Sequence, residues 1–220
     1  PSANRFGHVS PTRAEHVLAD LDGLIPLILD AGPTPVGVES TVLSLVTPVP
    51  TILRPGGVSR EALCAVLGEV VLYTQSATSE EESSLPVGGI EGGEAAPSPG
   101  TLDQHYAPRA RVQFYTGPRA VVLPALRAAA FDLDAAGERV GLLIAEEDRA
   151  ALADAPGIIQ TLGTQGDVPA IARRLFAALR ALDAAGVSVI LARDFGSAGL
   201  GLAVRDRLTR AAGGDVIRVA

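Results

Sequence analysis

The stretch from residue 76 to residue 100 is the feature that most limits how this chain can fold. It holds five glutamates and no basic residue, and it is rich in serine, glycine and proline. A segment of this composition cannot bury enough apolar surface to fold alone. The sequence therefore predicts two folded parts, over residues 1–75 and 111–220, joined by a linker over residues 76–110.

The overall composition is that of a globular protein. Of the 220 residues, 47% are hydrophobic and 20% are charged, which suffices for one large or two modest cores. No apolar run approaches the roughly 18 residues that a membrane-spanning helix needs, and no signal-peptide pattern opens the chain. One cysteine, Cys64, excludes an internal disulfide and fits a reducing compartment. We therefore expect a cytoplasmic protein without a membrane partner.

The charged residues narrow the functional classes. The formal net charge is −7 and all 18 basic residues are arginine, so the chain offers neither a lysine for a Schiff base nor a P-loop lysine. An acidic chain is also a poor general binder of nucleic acids. The sequence has no methionine and opens with proline, and we therefore expect a fragment that is cut at its N-terminus.

Residues 37–57, GVESTVLSLVTPVPTILRPGG, combine two strand signals with polar side chains. β-Branched residues predict a strand over residues 40–46, and a second extended segment, residues 51–53, ends at Arg54. A serine and an acid thus begin one strand, and an arginine ends its neighbour. Arginine presents a rigid fork of donors to phosphate or carboxylate, and the two glycines that follow allow a ligand close to the backbone. The alternative is a plain hairpin in which Arg54 is solvated.

The opening segment, PSANRFGHVS, is a polar loop with short hydrogen-bond donors. Ser2, Asn4 and Ser10 can donate to phosphate or ribose oxygens without filling a site. Thr12 and Glu15 have the spacing of a capping box, which predicts a helix whose N-terminus favours anions. The alternative is that Ser10 and Thr12 only cap this helix.

Further elements complete the first part of the chain. His16 falls off the apolar stripe of the first helix and is predicted to be exposed. Residues 24–30 are predicted to form a buried strand, residues 58–67 a helix capped by Ser59, and residues 69–74 another strand. Strands mixed with two helices over so short a span predict an α/β or α+β fold with an incomplete sheet.

The end of the linker, SPGTLDQHYAP, differs from the rest of it because it contains a histidine and an aromatic residue. An aromatic ring in a turn-rich segment usually docks on another surface. Tyr106 is therefore predicted either to pack on a neighbouring domain or to close as a lid over a ligand.

The second part alternates strands with helices, which predicts a small parallel, Rossmann-like sheet. The glycine-rich run GSAGLG, residues 196–201, has the wrong glycine order for a dinucleotide fingerprint. The sequence contains no metal-ligand cluster, nucleophile elbow or paired-carboxylate motif. The predicted strands are residues 112–115, 140–144, 158–162, 187–192 and 216–219, and the predicted helices are residues 168–184 and 202–212.

Four motifs follow one another along the chain: PSANRFGHVSPT, GVESTVLSL, ILRPGG and SPGTLDQHYAP. In this order they closely resemble the two-domain L-threonylcarbamoyladenylate synthases, and the resemblance extends to the final GLGLAVRDRL segment. It implies an α/β fold made of the C-terminal part of a YrdC-like twisted-sheet domain, a long linker and a small Rossmann-like parallel-sheet domain. The linker motif and the second domain separate this chain from single-domain YrdC proteins.

The resemblance also implies an activity. Such enzymes condense L-threonine, bicarbonate and ATP to threonylcarbamoyl-AMP and pyrophosphate, and partner proteins then transfer the threonylcarbamoyl group to tRNA. A Mg²⁺ ion is expected to bind together with the nucleotide. We expect no residue of this chain to ligate the metal, and no side chain to act as a catalytic residue. By resemblance, the residues at the substrates are Ser2, Asn4, Ser10, Arg54 and Tyr106 for ATP, and Ser40 for L-threonine.

The sequence departs from the family at its start. The family's catalytic domain begins with a half that carries a lysine/arginine motif for the phosphates and threonine, and this chain starts after it. We therefore expect the 220-residue chain alone to be inactive or very weak. One alternative is an RNA-binding or assembly module with a YrdC-like fold. The negative net charge argues against this alternative, because binding to a phosphate backbone depends on positive charge. Another is a related enzyme that forms a carbamoyl-adenylate from a different substrate.

Overall fold

The structure, a computed structural model, describes residues 3–73 and 106–220. The first of these regions contains the elements α1 (Ala14–Leu21), β1 (Val42–Ser44), β2 (Thr51–Arg54), α2 (Arg60–Leu67) and β3 (Val71–Leu72). Its strands form a mixed sheet in the order β1-β2-β3, with β1 antiparallel to β2 and β2 parallel to β3. The strand predicted over residues 40–46 and the extended segment predicted over residues 51–53 are therefore confirmed as β1 and β2, with β1 shorter than predicted.

The two helices of the first region begin differently. Ser59 caps α2 as predicted, because its Oγ accepts a hydrogen bond from the Ala62 amide at 3.2 Å. The capping box predicted for α1 is wrong: Arg13 precedes the helix and makes no side-chain cap. The Thr12 amide instead donates to Nδ1 of His16 at 3.1 Å, and this contact leaves the histidine half-buried rather than exposed.

The buried strand predicted for residues 24–30 is also wrong. This segment has no regular secondary structure, and Leu24, Leu27 and Leu29 are 68%, 69% and 88% exposed. Pro26 has no amide to donate to a ladder, and within the described residues no strand lies beside the segment. An apolar run predicts a strand only where a partner strand is available.

The second region, residues 106–220, is built on a parallel sheet. Five strands pair in the order β6-β5-β7-β4-β8, and every neighbouring pair is parallel, which confirms the predicted parallel arrangement. The elements are β4 (Arg111–Thr116), α3 (Arg119–Ala135), β5 (Val140–Ile144), a 3₁₀ helix (Glu146–Leu152), β6 (Ile158–Thr161), α4 (Val168–Ala184), β7 (Val189–Arg193), α5 (Gly201–Ala211) and β8 (Val216–Arg218).

Helices cover both faces of this sheet. Leu126 of α3 packs on one face, whereas Leu175 of α4 and Leu208 of α5 pack on the other. β5 and β7 are buried at every position, as central strands of a parallel sheet covered on both sides must be. Helix α3 was not predicted from the sequence, because Pro124 lies inside it and no side chain caps its start.

The first region packs on the face of α4 and α5. Gly37 touches α4 so closely that a Cβ atom at this position would lie 2.3 Å from Cα of Arg173. Nearby, the Ala107 amide donates to the Gly7 carbonyl at 3.2 Å, in a short parallel bridge. The loops that carry the sequence motifs therefore face the helical layer of the second region. Within the described residues, no helix is long and apolar enough to cross a membrane.

Candidate functional site

Arg54, the last residue of β2, turns back towards the loop before β1. Its Nε and Nη2 atoms donate to the Ser40 carbonyl at 3.3 and 3.0 Å, and Nη2 also lies 3.4 Å from the Ser40 hydroxyl. The turn after Arg54 packs tightly on the same loop, since a Cβ on Gly56 would lie 2.3 Å from the Glu39 carbonyl. Arg54 is half-buried in these contacts. The alternative of a plain hairpin with a solvated arginine does not hold.

Ser10 joins the opening loop to this arrangement. It is only 6% exposed, and its hydroxyl donates to Oε1 of Glu39 at 2.5 Å. It does not cap α1, which has no side-chain cap. The opening loop and the loop before β1 are therefore fixed to each other through one serine–carboxylate contact.

Arg207 of α5 reaches this carboxylate from the second region. Its Nε donates to Oε2 of Glu39 at 2.7 Å, Nη2 donates to the Pro55 carbonyl at 3.0 Å, and Nη1 donates to the carboxylate of Asp206. The Arg207 side chain is fully buried. Its guanidinium carbon lies 4.8 Å from the centroid of the Tyr106 ring, within the range of a cation–π contact.

Tyr106 is enclosed on its other side as well. It is 2% exposed, and its ring stacks on Phe176 of α4 with the centroids 5.8 Å apart. A side-chain hydrogen bond joins it to Arg54. Its φ of 60° lies in the left-handed region, which a bulky residue adopts only where its surroundings hold it. Of the two predicted roles, packing of the ring on another part of the chain is confirmed, and the role of a lid stays a prediction.

These contacts form one network of six residues: Ser10, Glu39, Ser40, Arg54, Tyr106 and Arg207. Burial and charge together set the protonation states of its ionisable side chains. Burial raises the pKa of the Glu39 carboxyl, but the Arg207 charge and the hydrogen bonds from Ser10 and Arg207 outweigh it, so the pKa is lowered overall. Burial lowers the pKa of Arg207, but the carboxylates of Glu39 and Asp206 outweigh it and raise the pKa overall. The pKa of the Tyr106 phenol is raised, chiefly by burial and further by Glu39. At neutral pH the network thus holds a carboxylate, a guanidinium and a neutral phenol.

The network brings together four of the residues singled out by the sequence: Ser10, Ser40, Arg54 and Tyr106. Asn4 lies outside it, because its Nδ2 donates to the carbonyls of Arg5 and His8, both at 3.0 Å, and so closes its own loop. Ser2 lies outside the described residues.

Sequence reasoning missed Arg207, although a local signal for it exists. In α5 the buried positions include Ala203, Val204, Leu208 and Ala211, whose helical spacing defines one apolar stripe. Arg207 lies within that stripe, where an arginine is rare unless it is paired. A charge on an apolar stripe indicates a buried partner but does not identify it.

Arg180 of α4 holds the opening loop from another direction. Its Nε donates to the Ser10 carbonyl at 3.3 Å and Nη2 donates to the Val9 carbonyl, while the guanidinium also pairs with Asp20 at 2.6 Å. A cleft of about 540 Å³ opens beside Arg180, but its lining includes none of the network residues. The contact network, rather than this cleft, therefore defines the candidate site.

The contact between His16 and Thr12 predicts that stability falls on mild acidification. Burial and then the charges of Arg180 and Arg13 lower the pKa of His16 from its ordinary value of 6.5. The neutral ring is therefore favoured in the folded protein, where Nδ1 accepts from the Thr12 amide. Since the folded pKa lies below the unfolded one, the stabilisation is complete above pH 6.5 and is lost as the pH falls through the folded pKa.

Denaturant unfolding at about pH 7.5 and about pH 5.5 measures this dependence, because histidine is the side chain that ordinarily titrates between them. His16→Gln is expected to remove most of the difference in unfolding free energy, and His8→Gln, at an exposed histidine, to preserve it. An equal pH dependence in the His16→Gln protein and the unsubstituted protein would contradict the prediction.

The described residues offer no ready site for a divalent cation. No group of three or more His, Cys, Asp and Glu side chains is close enough there to hold a metal ion. The carboxylates of Glu39 and Asp206 are both paired with Arg207. The donor set does not fit a dedicated Mg²⁺ cage, and no chemical step is assigned to a metal of this chain.

Comparisons with known proteins agree with the motif order. A family model described as "Threonylcarbamoyl-AMP synthase, C-terminal domain" matches residues 58–213, and one described as "Telomere recombination" matches residues 1–56. The chain is 38% identical over 218 residues to the threonylcarbamoyl-AMP synthase of Bacillus subtilis, covering 99% of this chain and 58% of the relative. The chain therefore belongs to the threonylcarbamoyl-AMP synthase family.

Solved structures are similar over the whole chain. The crystal structure of Pyrococcus abyssi Sua5 with L-threonine has a TM-score of 0.85 at 36% identity, covering 100% of this chain and 59% of that protein. A variant of the same protein, in which a histidine and a tyrosine are replaced by alanine, has a TM-score of 0.84 at 35% identity and covers 100% and 58%. The chain thus spans about 58% of the length of the Bacillus subtilis relative and of the Pyrococcus abyssi variant.

Proposed function

We propose that this chain forms part of an L-threonylcarbamoyladenylate synthase, which makes threonylcarbamoyl-AMP and pyrophosphate from L-threonine, bicarbonate and ATP. The observation that carries the proposal is the contact network of Ser10, Ser40, Arg54 and Tyr106 in a chain of this family. These residues are distant in sequence, and each belongs to a motif that the resemblance assigns to a substrate. One connected site for both substrates is the simplest account of their contacts.

The chemistry suits these residue types. The threonine amine attacks the carbon of bicarbonate, and loss of water leaves a carbamate. A carbamate oxygen then attacks the α-phosphorus of ATP, the bond from that phosphorus to the bridging oxygen breaks, and pyrophosphate leaves with the electron pair. No protein nucleophile is required, so catalysis rests on positioning and on stabilising developing charge.

Each network residue has a role in this proposal. Ser10 and Arg54 donate to the nucleotide, where the arginine fork suits phosphate oxygens. Ser40 binds threonine, whose presence in the Pyrococcus abyssi crystal structure supports a threonine site in the family. Tyr106 shields the mixed anhydride from water. The solved Pyrococcus abyssi variant replaces an adjacent histidine and tyrosine, and His105-Tyr106 is the one adjacent histidine–tyrosine pair in this chain.

The proposed enzyme has three parts. The catalytic domain comprises residues 1–75 together with the family's lysine/arginine half, residues 76–110 form a linker, and residues 111–220 form a Rossmann-like domain. The exposed Leu24 and Leu27 support a further covering segment, because large apolar surface patches usually pack against another protein segment.

The remaining motif residues complete the proposed nucleotide site. Ser2 and Asn4 contact ATP, and Mg²⁺ is bound with the ATP phosphates. Cytoplasmic partner proteins use the product to modify tRNA.

A role as an RNA-binding or assembly module is less well supported. The net charge is −7, and phosphate-backbone binding depends on positive surface charge. Two of the buried or half-buried arginines near the motif loops, Arg180 and Arg207, are engaged with protein carboxylates. Salt-sensitive tRNA binding without any ATP requirement would favour that module over the synthase.

ATP binding by calorimetry, with and without L-threonine, tests the proposal. It is measured on this chain and on an extended protein, in which the chain is joined to the part of the Bacillus subtilis relative that it does not span. We expect binding by the extended protein and little or none by the chain alone. Arg54→Ala is expected to weaken ATP binding about tenfold or more, because a charge-assisted fork is lost.

Matched substitutions control this experiment. Tyr106→Phe, which removes the hydroxyl that bonds Arg54, is expected to weaken ATP binding, whereas Tyr73→Phe, at a half-exposed tyrosine, is not. Arg149→Ala removes an exposed arginine of a surface ion pair and should leave affinity unchanged. No ATP binding by the extended protein, or equal effects of Arg54→Ala and Arg149→Ala, would count against the synthase.

A further inference from the structure

We propose that Arg207 is a positioning residue of the nucleotide site, through which the second region fixes the geometry of the first. This inference rests on the proposed synthase function and adds a role for α5, outside the motifs that the resemblance assigns to substrates. Arg207 is not a catalytic residue in this proposal, because its donors point to protein groups. It acts through the side chains that it holds.

The geometry of Arg207 carries the proposal. A single buried guanidinium uses all three nitrogens, with Nε on Glu39, Nη2 on the Pro55 carbonyl and Nη1 on Asp206, and it also lies over the Tyr106 ring. Its partners come from the loop before β1, the turn after β2 and the segment that enters the second region. A planar fork fixes the directions of its partners, which a single ammonium cannot do.

Each of these partners is one step from a residue of the proposed site. Glu39 accepts the Ser10 hydroxyl, Pro55 follows Arg54, and Tyr106 is hydrogen-bonded to Arg54. A displacement of the Arg207 guanidinium would therefore move Ser10, Arg54 and Tyr106 together. Shifts of about 1 Å in positioning groups are sufficient to impair binding and catalysis.

Stability alone is a weaker account of this contact. Desolvation offsets much of the attraction in a buried ion pair, so apolar residues of similar volume would often stabilise the fold as well or better. The contact also has a counterpart on α4, where Arg180 donates to the Ser10 carbonyl at 3.3 Å. Ser10 is thus held through its carbonyl by α4 and through its hydroxyl, by way of Glu39, by α5.

The first part of the test asks whether Arg207 holds Tyr106, without any substrate. The chain has three tyrosines and no tryptophan, so Tyr73→Phe and Tyr115→Phe leave Tyr106 as its one tyrosine, which can be excited at wavelengths that phenylalanine does not absorb. Acrylamide quenching of that fluorescence is measured in the Tyr73→Phe/Tyr115→Phe protein, and again after either Arg207→Met or Arg205→Met is added to it. Arg205 lies on the same helix but pairs with Asp194 inside the second region. We expect quenching to rise severalfold with Arg207→Met and to stay unchanged with Arg205→Met.

The second part uses the extended protein and separates positioning from folding. Arg207→Met is expected to weaken ATP binding about tenfold or more while changing threonine binding by less than about threefold, since most of the residues it holds are on the ATP side. Arg207→Lys restores a charge opposite Glu39 but not the fork, so it is expected to recover thermal stability without recovering ATP affinity. It also serves as the test variant if Arg207→Met fails to fold.

Three results would overturn the inference. They are unchanged quenching of Tyr106 in Arg207→Met, an equal loss of ATP and threonine affinity, and recovery of affinity in step with stability in Arg207→Lys. Absence of ATP binding by the unsubstituted extended protein would instead overturn the proposed function, and with it a role at a nucleotide site. In that event the quenching comparison would still decide whether Arg207 holds Tyr106.

Discussion

Replacing Gly37 with alanine is expected to lower the free energy of unfolding by about 3–5 kcal/mol, which is more than most single substitutions cause. A Cβ at this position would lie 2.3 Å from Cα of Arg173 and 2.5 Å from the Ala172 carbonyl, and backbone atoms of a packed helix cannot give way. The φ of +83° adds a conformational cost of about 1–2 kcal/mol for any L residue with a side chain. Denaturant unfolding at neutral pH measures the total.

Gly32→Ala separates these two contributions. Gly32 has a φ of +87°, close to that of Gly37, but a Cβ there would meet no atom of the described residues within 4 Å. Only the conformational cost should appear, about 1–2 kcal/mol. If Gly37→Ala proved no more destabilising than Gly32→Ala, the close approach of the first region to α4 would be refuted.

Replacing Gly56 with alanine is expected to disrupt the site from within the first region. Its Cβ would lie 2.3 Å from the Glu39 carbonyl oxygen and 2.4 Å from the Ser40 carbonyl carbon, both of them backbone atoms. The turn after Arg54 would have to move away from the loop that holds Ser40. We expect a loss of about 3 kcal/mol in unfolding free energy and, in the extended protein, a fall of ATP affinity of about 100-fold or more.

The adjacent glycine provides the control. A Cβ on Gly57 would lie 3.4 Å from a methyl group of Val36, which is ordinary packing distance, and its backbone is not left-handed. Gly57→Ala is therefore expected to remain within about 0.5 kcal/mol of the unsubstituted protein. Similar losses in Gly56→Ala and Gly57→Ala would show that the turn is generally intolerant and that the clash with the Glu39 loop is not the cause.

Local sequence patterns predicted most of the second region because its elements are periodic. The apolar stripe of Ile171, Leu175 and Leu182 predicted a helix over residues 168–184, which are the bounds of α4. Patterns predicted less well where a tertiary neighbour decides the outcome. Residues 24–30 have the apolar content of a strand but no partner strand within the described part of the chain.

The motifs located part of the candidate site but not its supports. Arg54, Ser40 and Tyr106 stand out because serine, arginine and a linker aromatic are unusual beside strand ends and turns. Glu39 and Arg207 are 168 residues apart, and no local pattern connects them. Contacts of this kind depend on how two regions dock, which no periodicity in either region encodes.

The two faces of the parallel sheet have different uses for an experimenter. The contacts between the regions reach α4 and α5, whereas α3 covers the opposite face of the sheet. Phe131 of α3 is 42% exposed on that far face. With Cys64 replaced by serine, a cysteine introduced at Phe131 would anchor a dye or a sensor surface there and leave the contacts between the two regions undisturbed.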